Sequence, residues 1–315
     1  MSERLRVITV TLNPAIDWTL NVEQLRVGAV NRLTAEQQDA GGKGINVAAL
    51  LSAAGCATGV TGFLGTDNDH RFVRLFNQVN LIDRCIRLSG NTRTNIKVVD
   101  TATHQVTDLN APGFTPTERQ LQHLEDELRN GPQADWYLLA GSLPQGVPTD
   151  IYARWVELLH ARGAKVAVDA SGAALRAAVE ACPDLIKPNE HELAELAGGA
   201  TTTVQDCLAQ AQALVAQGIG QVVVSRGAEG ALLVTAQQAV SALPGPVTVR
   251  TTVGAGDAMV AGLLLGQVQN LSLTEQARLA TAYAMSAVET IGPYRPTDAD
   301  LKRYAESVVV QTDVV

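Results

Sequence analysis

Beyond Thr115 the apolar positions of this chain switch repeatedly between the spacing of a helix and that of a buried strand. Thr115-Pro116-Thr117-Glu118 reads as a capping box with proline at the first helical position, and Leu121, Leu124 and Leu128 follow on one helical face. Trp136 to Ala140 predicts a buried strand, and Pro148 to Ala161 a helix with Ile151, Trp155, Leu158 and Leu159 inward. Strands are expected at Lys165 to Val168, Leu185 to Lys187 and Gln221 to Ser225, and helices at Ala173 to Ala181, Glu190 to Leu196 and Thr203 to Ala216. An alternating run, Val247 to Arg250, precedes an apolar helical run, Ala258 to Leu265. Ser272-Leu273-Thr274-Glu275 is a second capping box, opening a long helix toward Val288. Strands and helices in alternation imply an α/β fold, a mostly parallel sheet with helices on both faces.

Two stretches break this rhythm. Residues 13–38 and 91–110 are more polar and read as short strands. In the second, Arg93, Asn95 and Lys97 share one face at period two, while Thr94, Ile96 and Val98 take the other. These stretches predict a small β-sheet lid on a core made of residues 1–12, 39–90 and 111–315. The lid's basic, polar face either covers something anionic or is simply solvated.

Composition narrows the function classes. The 315 residues are 46% hydrophobic and 18% charged, as in a globular protein with a large core. The net charge of −8 argues against a nucleic-acid partner or an anionic membrane surface. Cys56, Cys85, Cys182 and Cys207 are widely spaced, which suggests neither a zinc site nor a redox pair. The N-terminus lacks an apolar signal core and no run approaches the length of a membrane span, so a cytoplasmic protein is expected.

In open α/β sheets ligands bind beyond the carboxyl ends of the strands. Five polar loops fall on that predicted edge: Gly141-Ser142-Leu143-Pro144, Asp169, Lys187 to Glu192, Ser225 to Gly230, and Thr252 to Asp257. In the last, Gly254-Ala255-Gly256 would present bare N–H groups at a helix start, where the helix dipole favours an anion. Asp257 then either caps the helix or takes a proton from a hydroxyl that attacks a phosphoryl group. Gly41-Gly42-Lys43-Gly44-Ile45-Asn46 opens another helix, as a plain glycine turn or as a second close approach to an oxygen-rich ligand. Neither segment has the spacing of a P-loop or a dinucleotide fingerprint. His191-Glu192-Leu193-Ala194-Glu195 lacks the second histidine of a zinc-protease helix. Asn189 and Glu192 suit a capping box and a phosphate-bound Mg2+ equally well.

Together and in this order, Gly41 to Asn46 and Thr252 to Asp257 resemble the two signatures of the ribokinase-like (PfkB-type) carbohydrate kinases, and the resemblance covers essentially the whole chain. Thr11-Leu12-Asn13-Pro14-Ala15-Ile16-Asp17, Gly141 to Pro144 and Lys187-Pro188-Asn189 resemble the family's phosphosugar kinases. So do Thr92 to Lys97 and Val106 to Asn110 of the lid. The resemblance implies a ribokinase-like three-layer core with a β-sheet lid, often paired into homodimers through the lids. It makes Asp257 the catalytic base and Gly254, Ala255 and Gly256 the anion hole. Asp17, Gly41, Gly42, Lys43, Asn46, Arg93, Asn95, Lys97 and Ser142 would serve the acceptor sugar and its phosphate. Lys187, Asn189, Glu192, Ser225, Gly227, Gly230 and Thr252 would serve ATP, with Mg2+ near Asp169 and Glu192.

Two departures stand out. Ala258 replaces a common serine, and Ile291-Gly292-Pro293-Tyr294 is unusual where relatives shape a monovalent-cation site, which puts K+ dependence in doubt. The expected reaction is transfer of the ATP γ-phosphoryl group to O6 of fructose 1-phosphate. Fructose 6-phosphate or tagatose 6-phosphate is the rival acceptor within the family. A sugar-phosphate sensor that keeps the fold without catalysis is the rival of a different class, and it would be expected to lack Asp257.

Overall fold

The computed structural model describes residues 4–103, 105–199, 201–290 and 296–312. The chain opens with β1 (Leu5–Thr11), leaves the main sheet for β2 (Ala15–Val22) and β3 (Leu33–Gly41), and returns with α1 (Lys43–Ala53). Then come β4 (Thr58–Gly65), α2 (His70–Val79), β5 (Ile82–Asp83) and β6 (Ile86–Leu88). A second excursion forms β7 (Thr94–Asp100) and β8 (Val106–Leu109). The alternating part runs α3 (Glu118–Asn130), β9 (Ala134–Ala140), α4 (Ile151–Ala161), β10 (Lys165–Asp169), α5 (Gly172–Glu180), β11 (Leu185–Ile186), α6 (Glu190–Ala197), α7 (Val204–Ala216) and β12 (Gln221–Ser225). A hairpin, β13 (Ala231–Val234) and β14 (Ala239–Leu243), leads to α8 (Ala255–Val268), α9 (Leu273–Val288), α10 (Asp298–Ser307) and β15 (Val309–Gln311).

The large sheet is ordered β15-β14-β13-β12-β11-β10-β9-β1-β4-β5, with β6 also paired to β4. From β12 to β5 every pairing is parallel, and from β12 to β15 every pairing is antiparallel. Strands such as β1 and β9 are buried nearly throughout because helices cover both faces. Leu124, Tyr152, Trp155, Leu175 and Leu214 of α3, α4, α5 and α7 pack on one face with Val10, Leu139 and Val168. Val47, Leu263, Tyr283 and Tyr304 of α1, α8, α9 and α10 pack on the other with Val7, Leu138 and Val223. This is the expected core: a mostly parallel sheet between two helical layers.

The two polar excursions pair with each other in a separate sheet, ordered β3-β2-β7-β8. Asp17 of β2 lies opposite Asp39 of β3 on one side and Asn95 of β7 on the other. β3 runs on to Gly41, so a single residue, Gly42, separates a lid strand from α1.

Several local expectations change. The capping box of α3 is Thr117 with Gln120, not Thr115 with Glu118. Pro116 therefore precedes the cap, and Glu118 takes the first helical position, where the helix dipole favours it. The next helix begins at Ile151 rather than Pro148, because residues 148–151 form a turn closed by the Ile151 N–H on the Pro148 carbonyl. Val247 to Arg250 forms no strand. The Thr248 N–H donates to the Glu289 carboxylate and the Arg250 N–H to the Val288 carbonyl, which ties this stretch to the end of α9 instead of a sheet edge. The helix after it starts three residues early, at Ala255. The boxes at Ser272 with Glu275 and at Asn189 with Glu192 form as spaced. All four cysteines are free thiols. No helix among the described residues is long and apolar enough to cross a membrane.

Candidate active site

Parallel register fixes where the chemistry gathers. Thr11 at the end of β1 and Asp169 at the end of β10 both pair with Ala140 at the end of β9, so three strands deliver their last residues to one line. Two helices begin beside that line. α1 has Gly42 as its N-cap (φ 127°) and α8 has Gly254 (φ 82°), left-handed conformations that suit glycine. Neither N-cap can supply a side-chain acceptor, so the first N–H groups of both helices are left for a ligand. The two first turns are joined directly, with Asn46 of α1 donating from Nδ2 to Asp257 Oδ2 at 2.8 Å.

Asp257 therefore does not cap its helix. It sits in the first turn of α8, 8% exposed, with its carboxylate turned to Asn46. Burial, and next the charge of nearby Asp169, push it up to about 6, against the pull of Lys43, Asn46 and Lys187. A carboxylate in that range is ionised at neutral pH yet basic enough to accept a proton.

Asp169 is 1% exposed and stands between two ammonium groups. Lys43 Nζ lies 3.0 Å from its Oδ2 and Lys187 Nζ 3.5 Å from its Oδ1. Burial alone would raise Asp169, but Lys187 and Lys43 outweigh it and hold the carboxyl low. Burial likewise pulls Lys43 down, and Asp169, Asp257 and Glu192 together raise it. Lys187, itself 5% exposed, comes within 3.7 Å of where a side chain on Gly256 would begin, so its ammonium borders the 254–256 N–H groups.

On the lid side, Asn95 donates to Asp17 Oδ1 at 3.3 Å. Its own Oδ1 is buried without a partner. Burial raises Asp17, against Asn95, Lys97 and Arg93. Lys97 lies 4.0 Å from Asp108, farther along the lid. The Arg93 guanidinium donates to three backbone carbonyls, those of Ala111 at 2.7 Å, Asn13 at 3.0 Å and Pro14 at 3.3 Å. Ser142 is exposed, and its Oγ accepts from Asn13 at 3.2 Å.

The remaining predicted residues lie on the adjacent stretch of the edge. Asn189 bridges Ser225, whose N–H donates to the Pro188 carbonyl at 3.0 Å. Asn189 and Glu192 are engaged in their reciprocal capping box at 2.8 and 2.9 Å. Gly227 opens a short 3-10 turn that Gly230 closes, and Thr252 is exposed just before α8. The described residues include no cluster of three or more His, Cys, Asp or Glu able to hold a metal by themselves. That donor set fits a Mg2+ ligated mainly by phosphate oxygens and water, and the lysines and open helix termini fit a polyphosphate. Residues 291–294 lie outside the described residues.

Sequence reasoning gave no role to Asn13, which is 7% exposed and joins Ser142 to the lid crossings. Its only signal was its place within Thr11 to Asp17.

The family model for pfkB carbohydrate kinases matches residues 7–300. The 1-phosphofructokinase of Rhodobacter capsulatus is 45% identical over 312 residues, 98% of each chain. Phosphofructokinase-2 from Escherichia coli, solved with substrates and products, superposes with a TM-score of 0.91 at 30% identity, over 96% of this chain and 99% of its own. The same enzyme solved with potassium gives 0.90 at 30% identity, over 96% and 98%. This chain belongs to the pfkB family of carbohydrate kinases.

Proposed function

We propose that the protein transfers the γ-phosphoryl group of ATP to O6 of fructose 1-phosphate, giving fructose 1,6-bisphosphate and ADP. The observation that carries the chemistry is a buried Asp257 carboxylate placed under the open N-terminus of α8, beside two lysines. Asp257 accepts the O6 proton as the O6–P bond forms and the bond from phosphorus to the ADP oxygen breaks. The 254–256 N–H groups and Lys187 then face the charge on the phosphoryl oxygens, where fixed donors contribute most. Asp169 orients Lys43 toward the acceptor and Lys187 toward ATP. Mg2+, when bound with ATP, neutralises phosphate charge, with Glu192 the side chain placed to reach it through water.

The acceptor lies between core and lid. Asp17, Asn95 and Asn46 suit sugar hydroxyls, and the unpartnered Asn95 Oδ1 is free to accept from one. Arg93 makes no ion pair among the described residues, so its charge is left for an anion. Three of its five N–H groups are committed to carbonyls and two remain. Arg93 and Ser142 are the site for the phosphate that the acceptor already carries. Ser225, Gly227, Gly230 and Thr252 line the nucleotide end. Exposed Val27, Val30, Leu33, Val106 and Leu109 on the lid support pairing of two copies through the lids. For K+, the potassium complex of the Escherichia coli enzyme speaks in favour and the unusual Ile291 to Tyr294 against.

ADP release with Mg-ATP and, separately, fructose 1-phosphate, fructose 6-phosphate and tagatose 6-phosphate tests this reading. The expected result is a kcat/KM that strongly favours fructose 1-phosphate. Preference for a 6-phosphate would overturn the choice of acceptor and leave the base and anion hole in place.

A further inference from the structure

The chain crosses between core and lid near residues 12–15, 41–42, 91–93 and 110–114, and three of these crossings meet at one side chain and one guanidinium. The buried Asn13 amide donates from Nδ2 to Ser142 Oγ at 3.2 Å and, more weakly, to the Pro112 carbonyl at 3.4 Å. The Pro112 carbonyl can only accept, which fixes the amide with its NH2 toward Ser142. Gly113 packs against the other side of the amide. A side-chain carbon there would begin 2.1 Å from Asn13 Oδ1, and φ is 88°, so only glycine lets the outgoing crossing lie so close. Arg93, from the second excursion, closes the cluster by donating to the Asn13, Pro14 and Ala111 carbonyls.

This arrangement orients a proton. Ser142 Oγ accepts from Asn13, which leaves its own O–H free to donate, and on this exposed residue the donor can meet an anion. We propose that Asn13 is a positioning residue for the acceptor's existing phosphate, setting the Ser142 hydroxyl as a donor and locking the lid crossings that carry Arg93. It touches the phosphate only through those two residues. The inference rests on the reading of Arg93 and Ser142 as the phosphate site.

A double-mutant cycle of Asn13→Ala and Ser142→Ala tests it, read as kcat/KM for fructose 1-phosphate with ATP saturating, beside the ATP KM and the melting temperature. Asn13→Ala is expected to lower kcat/KM about tenfold through the acceptor KM, the size of one lost polar contact, with the ATP KM little changed. The double variant should lose less than the sum of the two single losses, because part of the Asn13 effect passes through Ser142. Asn13→Asp keeps the shape but turns the donor into a charged acceptor. It should be worse than alanine for fructose 1-phosphate and no worse for unphosphorylated fructose. A residue with only a structural role would affect both acceptors alike. Additive losses in the cycle, or equal losses for the two acceptors, would overturn the role of Asn13. A wild-type enzyme with no preference for phosphorylated over plain fructose would instead sink the functional reading beneath it.

Discussion

The core edge and the lid hold charge in opposite ways. In the core, Asp169 and Lys187 are 1% and 5% exposed and answer each other directly, with Asp257 and Lys43 beside them. In the lid, Arg93 is half-buried and hydrogen-bonds only to backbone carbonyls; Asp17 attracts its charge, but no ion pair forms among the described residues. A neutralised network holds geometry while charge moves through it, which suits proton and phosphoryl transfer. An unneutralised cation on a separate sheet suits recognition of an anion that does not react. On the proposed reading the contrast is a division of labour: the core would set turnover, and the lid would set which acceptor is taken.

The strongest way to break that contrast is Asp257→Asn. Turnover should fall by at least about 10² to 10⁴, the usual worth of a general base, while acceptor binding by calorimetry survives. Near-normal turnover would remove the core's role. Asp169→Asn comes next. It leaves Lys187 buried without its counter-ion, and loss of one member of a buried pair costs about 3–5 kcal/mol. Lys43, more exposed, adds little to that cost. Chemical denaturation should show it, and a variant as stable as wild type would mean the lysines do not depend on Asp169.

The pH dependence sharpens the same side. With Asp257 pushed up to about 6, kcat/KM should fall about tenfold per unit below that pH. The acceptor's phosphate ionises in the same range, so stability supplies the control. Asp257 holds its proton more tightly in the folded than in the unfolded protein, so between about pH 4 and 6 its own contribution to stability falls as pH rises. Asp257→Asn should therefore melt above the wild type at pH 8, with the gap closing toward pH 4. An equal gap at both would contradict the raised value. The smallest effect lies far from both regions: Thr117→Ala removes the cap of α3 and should cost about 1 kcal/mol with kcat and KM unchanged.

Local signals explain which parts were legible in the sequence. The boxes at Asn189 and Ser272 announced their helices because cap and partner are three residues apart. The cap of α3 lies two residues beyond the expected one, because Thr117 and Gln120 have the same spacing as Thr115 and Glu118. The antiparallel edge of β13 to β15 went unseen, and Val247 to Arg250 carried a strand-like alternation that Val288 and Glu289 intercept. Within the site, each loop could be suspected singly, yet the pairings could not be read. Asn46 meets Asp257 across 211 residues and Lys43 meets Asp169 across 126. The parallel register of β1, β9 and β10 brings Asp169 to this edge, and the packing of α1 and α8 on one sheet face brings Asp257 to Asn46. Asn13 was missed for the same reason, since its partners lie in two other crossings and in the loop after β9.

The most direct test of the division of labour is the ratio of kcat/KM for fructose 1-phosphate to that for unphosphorylated fructose, measured in the wild type and in Arg93→Ala. Loss of charge-assisted contacts worth about 1.5–3 kcal/mol should lower the fructose 1-phosphate value by roughly ten- to a hundredfold, mainly through KM. The fructose value should hardly change, so the ratio collapses while turnover at saturation persists. If both acceptors suffer equally, Arg93 is not the phosphate contact, and the lid does not choose the acceptor.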